Sequence, residues 1–120
     1  MGRPKEEYMY SNIHVAGSTF CYGQEYLRQV MAGTISFNAS EIRLVREPSN
    51  KYDPNAVAVW WRNDQEAKQL GYVARNQAPT VARCLDNGGK VLIKNHSICG
   101  SSDTNYGLYL GVDVLFRRNI

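Results

Sequence analysis

The sequence predicts an α+β domain, a small and partly open barrel of six antiparallel strands with two short helices packed at its side. Three observations carry that prediction. Short runs of strand character recur between turn-forming clusters of Gly, Pro, Asn and Asp. Two other stretches place their apolar residues at helical spacing. A chain of 120 residues supports one modest core and leaves no room for a second.

In chain order, residues 1–11 are polar and charged and read as an N-terminal arm, so the domain proper is expected over residues 12–118. Ile13 to Ala16 forms a first strand. Gly17 to Gly23 is a loop, with glycine at both ends and Phe20 and Tyr22 inside it. Gln24 to Ala32 carries Leu27, Val30 and Met31 on one helical face and stops at Gly33. Glu41 to Arg46 alternates, with Ile42 and Leu44 inward and Arg43 and Val45 outward, and should pair antiparallel with Ala56 to Trp61. Adjacent Trp60 and Trp61 must then point to opposite faces.

Asn63-Asp64 turns the chain into a strand from Gln69 to Ala74. Asn76 is expected to cap a helix with Ala78, Val81, Ala82 and Leu85 on one face, and Pro79 is tolerated in its first turn. Gly88-Gly89 ends that helix, and Lys90 to Ile98 returns to strand character. After a polar loop from Gly100 to Asn105, the inward residues Leu108, Leu110, Val112, Val114 and Phe116 define the last strand.

Between the second and third strands lies Arg46-Glu47-Pro48-Ser49-Asn50-Lys51-Tyr52-Asp53-Pro54-Asn55-Ala56. Pro48 and Pro54 fix φ and bias Glu47 and Asp53 towards extended geometry, while Ser49, Asn50 and Asn55 offer side-chain bonds to the turning backbone. A carboxylate held there, Asp53, suits two tasks. It can close an Asx turn around Pro54, or it can accept a hydrogen bond from a sugar hydroxyl while repelling a phosphate. Tyr52 and Phe20 can stack on bases or cover the adjacent core. Arg75, beside a helix start, can contact phosphate or lie in solvent.

This loop, followed by Ala56-Val57-Ala58-Val59 and later by Leu70-Gly71-Tyr72-Val73-Ala74-Arg75, resembles the HIRAN family from about Ile13 to Phe116. The resemblance implies an OB-like barrel and a binding module, without catalysis, that captures the 3′-hydroxyl end of single-stranded DNA for repair or replication-fork processing. A helicase or nuclease is the further partner it suggests. By the same resemblance Asp53 receives the terminal hydroxyl, Tyr52 and Phe20 flank the last bases, Arg75 meets phosphate, and Asn50 and Asn55 brace the loop or touch the DNA. Tyr72 belongs to the same nucleic-acid-binding set. Three positions depart from the family pattern: Phe20 replaces a tyrosine, Tyr72 a histidine and Thr19 an arginine. The last two remove cations from the expected groove.

The net charge of +3 permits contact with nucleic acid without demanding it, and arginines outnumber lysines among the 14 cations. Cys21, Cys84 and Cys99 form no CxxC pair, and His14 and His96 have no metal-ligand spacing, so neither a disulfide framework nor a metal or other cofactor is expected. No nucleophile-base pair, carboxylate cluster or phosphate loop marks an enzyme. The chain lacks the apolar core of a signal peptide and any run long enough to span a membrane, so an intracellular place is expected, cytoplasmic in a microbe or nuclear in a eukaryote. The rival reading is a protein-interaction adapter that uses the barrel groove or a strand edge.

Overall fold

Turn formers and alternating apolar residues divide the described residues into six strands and two helices. They are β1 (Lys5–Ala16), α1 (Gly23–Met31), β2 (Ile42–Arg46), β3 (Val57–Arg62), β4 (Ala67–Val73), α2 (Ala78–Asp86), β5 (Lys90–Cys99) and β6 (Gly107–Arg118), with a 3₁₀ turn at Ala39–Glu41. The structure, a computed structural model, describes residues 5–101 and 103–118, and side chains from Met9 to Phe116. The strands form one antiparallel sheet in the order β2-β3-β4-β1-β6-β5, which curls into a partly open barrel.

Alternation sets the two faces of this sheet. On β1 and β6, Ile13, Val15, Leu108, Leu110, Val112 and Val114 are buried and face the core, where both helices pack. Each strand's intervening residues therefore face outward. β3 departs from alternation, since Val57, Ala58 and Val59 are all buried. Trp61 lies in the core against Tyr26 and donates its indole N–H to Glu41 at 3.2 Å, while Trp60 takes the other face. At the two edges of the sheet, the rings of Phe37 and His96 stack at 3.9 Å and bring the segment before β2 against β5.

Three expectations are corrected. The polar arm over residues 1–11 is strand from Lys5 onward, paired with β6 in register from Lys5 opposite Arg118 to Val15 opposite Leu108; residues 1–4 lie outside the described part. Main-chain hydrogen bonds hold that extension, which is why it lacks an apolar signature: Met9 and Tyr10 are both exposed. On α1 the helix buries Tyr26 and Leu27, and Met31 points to solvent.

Asn76 does not cap α2. Gln77 holds the cap position without a side-chain bond to the helix. Its amide instead accepts from the His14 N–H at 2.8 Å and donates to the Asn12 carbonyl at 2.7 Å. Among the described residues β1 pairs with β4 at Val15 opposite Val73 and Ala16 opposite Tyr72 alone, and Gln77 takes over the edge where that pairing stops.

Candidate nucleic-acid interface

Asn50 organises the loop between β2 and β3. Its side-chain oxygen accepts from the backbone N–H groups of Tyr52 at 2.9 Å and Asp53 at 3.1 Å, and its amide nitrogen donates to Glu47 at 3.0 Å. The backbone N–H of Asn50 also reaches the Glu47 carbonyl, at 3.1 Å. One asparagine thus satisfies two donors of a segment that the prolines keep out of regular structure.

The ends of the loop are pinned from outside. Arg46 grips Asp86 of α2 with Nε at 2.9 Å and Nη2 at 3.1 Å, and its Nη1 donates to the Ala56 carbonyl at 3.0 Å. The same carbonyl accepts from the Glu47 N–H at 3.0 Å. Glu47 then receives the Tyr72 hydroxyl at 3.0 Å, which ties the loop to β4.

This bracing opens a cleft of about 390 Å³, lined by Asn50, Tyr52, Asp53, Ala56, Tyr72 and Arg75 together with Ala16, Gly17 and Val73. Because Val15 and Val73 face the core, their neighbours Ala16 and Tyr72 face outward, and the cleft sits on the outer side of the sheet. Gly17 takes φ +73°, a left-handed conformation that turns β1 away at the rim and that glycine adopts without a Cβ clash.

Five of the expected residues therefore converge: Asn50, Tyr52, Asp53, Tyr72 and Arg75. Phe20 and Asn55 are not in the lining. Phe20 stands on the Gly17 to Gly23 loop with its side chain 93% exposed, a ring that covers no core. Asn55 presents its backbone N–H to the Asp53 carboxylate at 2.9 Å, so its bracing is done by the main chain. That bond is the Asx turn around Pro54, and it uses one carboxylate oxygen of Asp53. Among the described residues the other oxygen has no hydrogen-bond partner within the protein.

Charge in the cleft is mixed. Arg75 donates to the Tyr52 carbonyl at 3.2 Å and leaves further guanidinium N–H groups open. Lys51 holds its ammonium 5.3 Å from the centre of the Tyr52 ring, which is itself 76% exposed. Tyr72 adds no charge, and its hydroxyl is committed to Glu47. Burial first and the Glu47 carboxylate second push the Cys21 thiol up, so Cys21 is held protonated near this network.

Sequence reasoning passed over the roles of Arg46, Glu47 and Gln77. Arg46 and Glu47 open the loop motif, and that place was their only signal. Gln77 had none, because its partners lie more than sixty residues away in the chain. Among the described residues no group of three His, Cys, Asp or Glu could hold a metal ion, and no helix is long and apolar enough to cross a membrane.

A partly open antiparallel barrel with a loop-built cleft on its outer side defines a small domain of the OB-like class. The HIRAN domain model matches residues 8–116, and the chain belongs to that family, one known for DNA binding. Two solved structures share the fold. The crystal structure of the HIRAN domain of human HLTF superposes with a TM-score of 0.60 at 19% identity, covering 92% of this chain and 79% of that one. The crystal structure of a protein from Lactobacillus plantarum gives a TM-score of 0.58 at 24% identity, covering 93% of this chain and 99% of that one. No curated protein sequence gives a significant match.

Proposed function

We propose that this domain captures the 3′-hydroxyl end of single-stranded DNA and hands it to a partner, a helicase or nuclease, that performs the chemistry. The observation that carries the reading is the divided carboxylate of Asp53. One oxygen is fixed by the Asn55 N–H, and the other has no partner among the described residues and lies in a cleft shared with Arg75 and Tyr52. An ionised carboxylate accepts from a terminal hydroxyl and meets a terminal phosphate with like charge.

The surrounding groups suit the rest of a terminal nucleotide. The cleft falls within the range of roughly 300–1,000 Å³ typical of small-molecule sites, a size suited to one terminal residue. Arg75 offers its free N–H groups to the phosphate one step inward, and the Tyr52 ring offers a face to a base of any identity. Asn50 and the Arg46 clamp hold Asp53 in place before the ligand arrives, which reduces the ordering cost on binding.

Competition between a linear single strand and the same sequence closed into a circle tests this reading. The linear strand should displace a labelled 3′-ended oligonucleotide, and the circle should displace it poorly. Equal competition would assign the cleft to generic strand binding, and failure of both would leave DNA outside the ligands of this domain.

A further inference from the structure

The cleft does not close off the outer face of the sheet. Ala16 in its lining is followed along β1, on the same side, by His14, Asn12 and Tyr10, each step covering two residues or about 6.7 Å. The register carries this row across the sheet: His14 lies opposite Tyr109 and Asn12 opposite Gly111, which in turn faces Asn95 of β5.

Two polar and aromatic stations stand on this row. The His14 and Tyr109 rings stack with centroids 4.7 Å apart. Further on, Tyr10 is 57% exposed, and its hydroxyl meets the Asn95 side chain at 3.3–3.5 Å. They meet above Gly111, where a Cβ would strike both the Tyr10 hydroxyl and the Asn95 oxygen. Glycine at this place lets the two side chains lie flat across β6. Asn12 is exposed between the stations, and Lys94 is exposed at the bulge beside Asn95. Asp113 stands directly opposite Tyr10 on β6, and its carboxylate would repel a phosphate.

We infer that this row is the path of the same DNA strand as it leaves the cleft in the 5′ direction, with bases resting on the His14–Tyr109 pair and on Tyr10 where it leans over Gly111, and with the path ending there because Asp113, opposite Tyr10, repels a phosphate. The inference rests on the end-capture reading and extends it from one terminal nucleotide to a site several nucleotides long. Continuity with the cleft selects this occupant: the row begins at a cleft-lining residue, and its rings and amides serve unpaired bases without reading their sequence.

The test is affinity against length. Oligonucleotides of two, four, six and eight nucleotides with free 3′ ends are titrated against the wild-type domain, Tyr10→Ala, His14→Ala and Gly111→Ala. In the wild type, affinity should climb by about tenfold for each stacking station reached and then level off. The ratio between six and two nucleotides should shrink in Tyr10→Ala and His14→Ala. Gly111→Ala, which displaces Tyr10 and Asn95 without removing either, should shrink it as well.

A dinucleotide that binds wild type as tightly as the longer strands would overturn the inference and leave end capture standing. A full length gain retained in all three variants would overturn it too. If no length binds, the end-capture reading itself fails and the path falls with it.

Discussion

Arg46 and Asp86 face each other across 40 residues of sequence with two charge-assisted bonds, 2.9 and 3.1 Å long. The guanidinium's third arm holds the Ala56 carbonyl at 3.0 Å, so one side chain fastens the far end of the loop between β2 and β3 to the end of α2. Lysine cannot reproduce this, because an ammonium is a point charge and not a planar fork. Arg46→Lys should lower the melting temperature and weaken DNA binding together, although Arg46 does not line the cleft. A normal melt with normal binding would show that the loop holds itself.

The same contact sets an acid-side dependence. Hydrogen bonding from Arg46 holds the Asp86 carboxyl below its ordinary value near 3.8. With the folded value depressed, the stability it contributes is present above that ordinary value and is lost as pH falls through the folded one. Arg46→Ala should flatten this part of the acid limb in a thermal melt series. An unchanged acid limb would mean that the pair contributes nothing measurable.

Asn50→Ala removes the acceptor for the Tyr52 and Asp53 N–H groups and the donor to Glu47. Stability measured by urea unfolding should fall by about 1–2 kcal/mol, and the ordering cost on DNA binding should rise. Asn50→Asp keeps the acceptors but sets a carboxylate against Glu47, so it should be no better than alanine. A stable, fully binding Asn50→Ala would move the organising role elsewhere.

Arg75→Ala should weaken binding to every sequence alike. The slope of log affinity against log salt should become less negative by about 0.7, the loss of one phosphate contact on a single strand. An unchanged slope would leave Arg75 only its bond to the Tyr52 carbonyl.

Tyr26 supplies a test of the core that is independent of DNA. Its buried hydroxyl has no hydrogen-bond partner among the described residues, and burial first and Glu41 second push its pKa up to about 12 from the ordinary 10.0. The folded state favours the neutral phenol, so stability is full below pH 10.0 and declines as pH rises towards about 12. Tyr26→Phe should be at least as stable as wild type at neutral pH and should lose less in alkaline solution. Destabilisation at neutral pH would mean that the hydroxyl has a bonded role.

Much of this fold is legible in the sequence because apolar alternation is a local signal. Ile42 and Leu44 against Arg43 and Val45, and Leu108 to Phe116, declare their faces within a few residues. The first half of β1 is silent because its pairing with β6 is made by main chain, while Met9 and Tyr10 stay exposed. At the cleft, the turn chemistry of Pro48, Asn50 and Pro54 reads directly from the loop.

The braces of the cleft do not read in that way. Tyr72 with Glu47, Arg46 with Asp86 and Gln77 with β1 are contacts between residues 25 to 65 positions apart, set by how the sheet and α2 come together. The orientation of Phe20 is equally a matter of packing, since a loop aromatic is compatible with core or solvent. Tyr72 shows the consequence: its place in the family pattern suggested a group for DNA, and its hydroxyl bonds to Glu47 of the loop.

Asp53 carries the central claim, and the most direct measurement compares one single strand ending in a 3′-hydroxyl with the same strand ending in a 3′-phosphate, titrated against wild type and Asp53→Ala. Wild type should strongly prefer the hydroxyl end. Asp53→Ala, once shown to be folded, should lose roughly 1.5–3 kcal/mol for that end, as expected when a hydrogen bond to a charged group is removed, and should discriminate little between the two. If folded Asp53→Ala still distinguishes the ends as wild type does, Asp53 is a turn residue alone and the end-capture mechanism is contradicted.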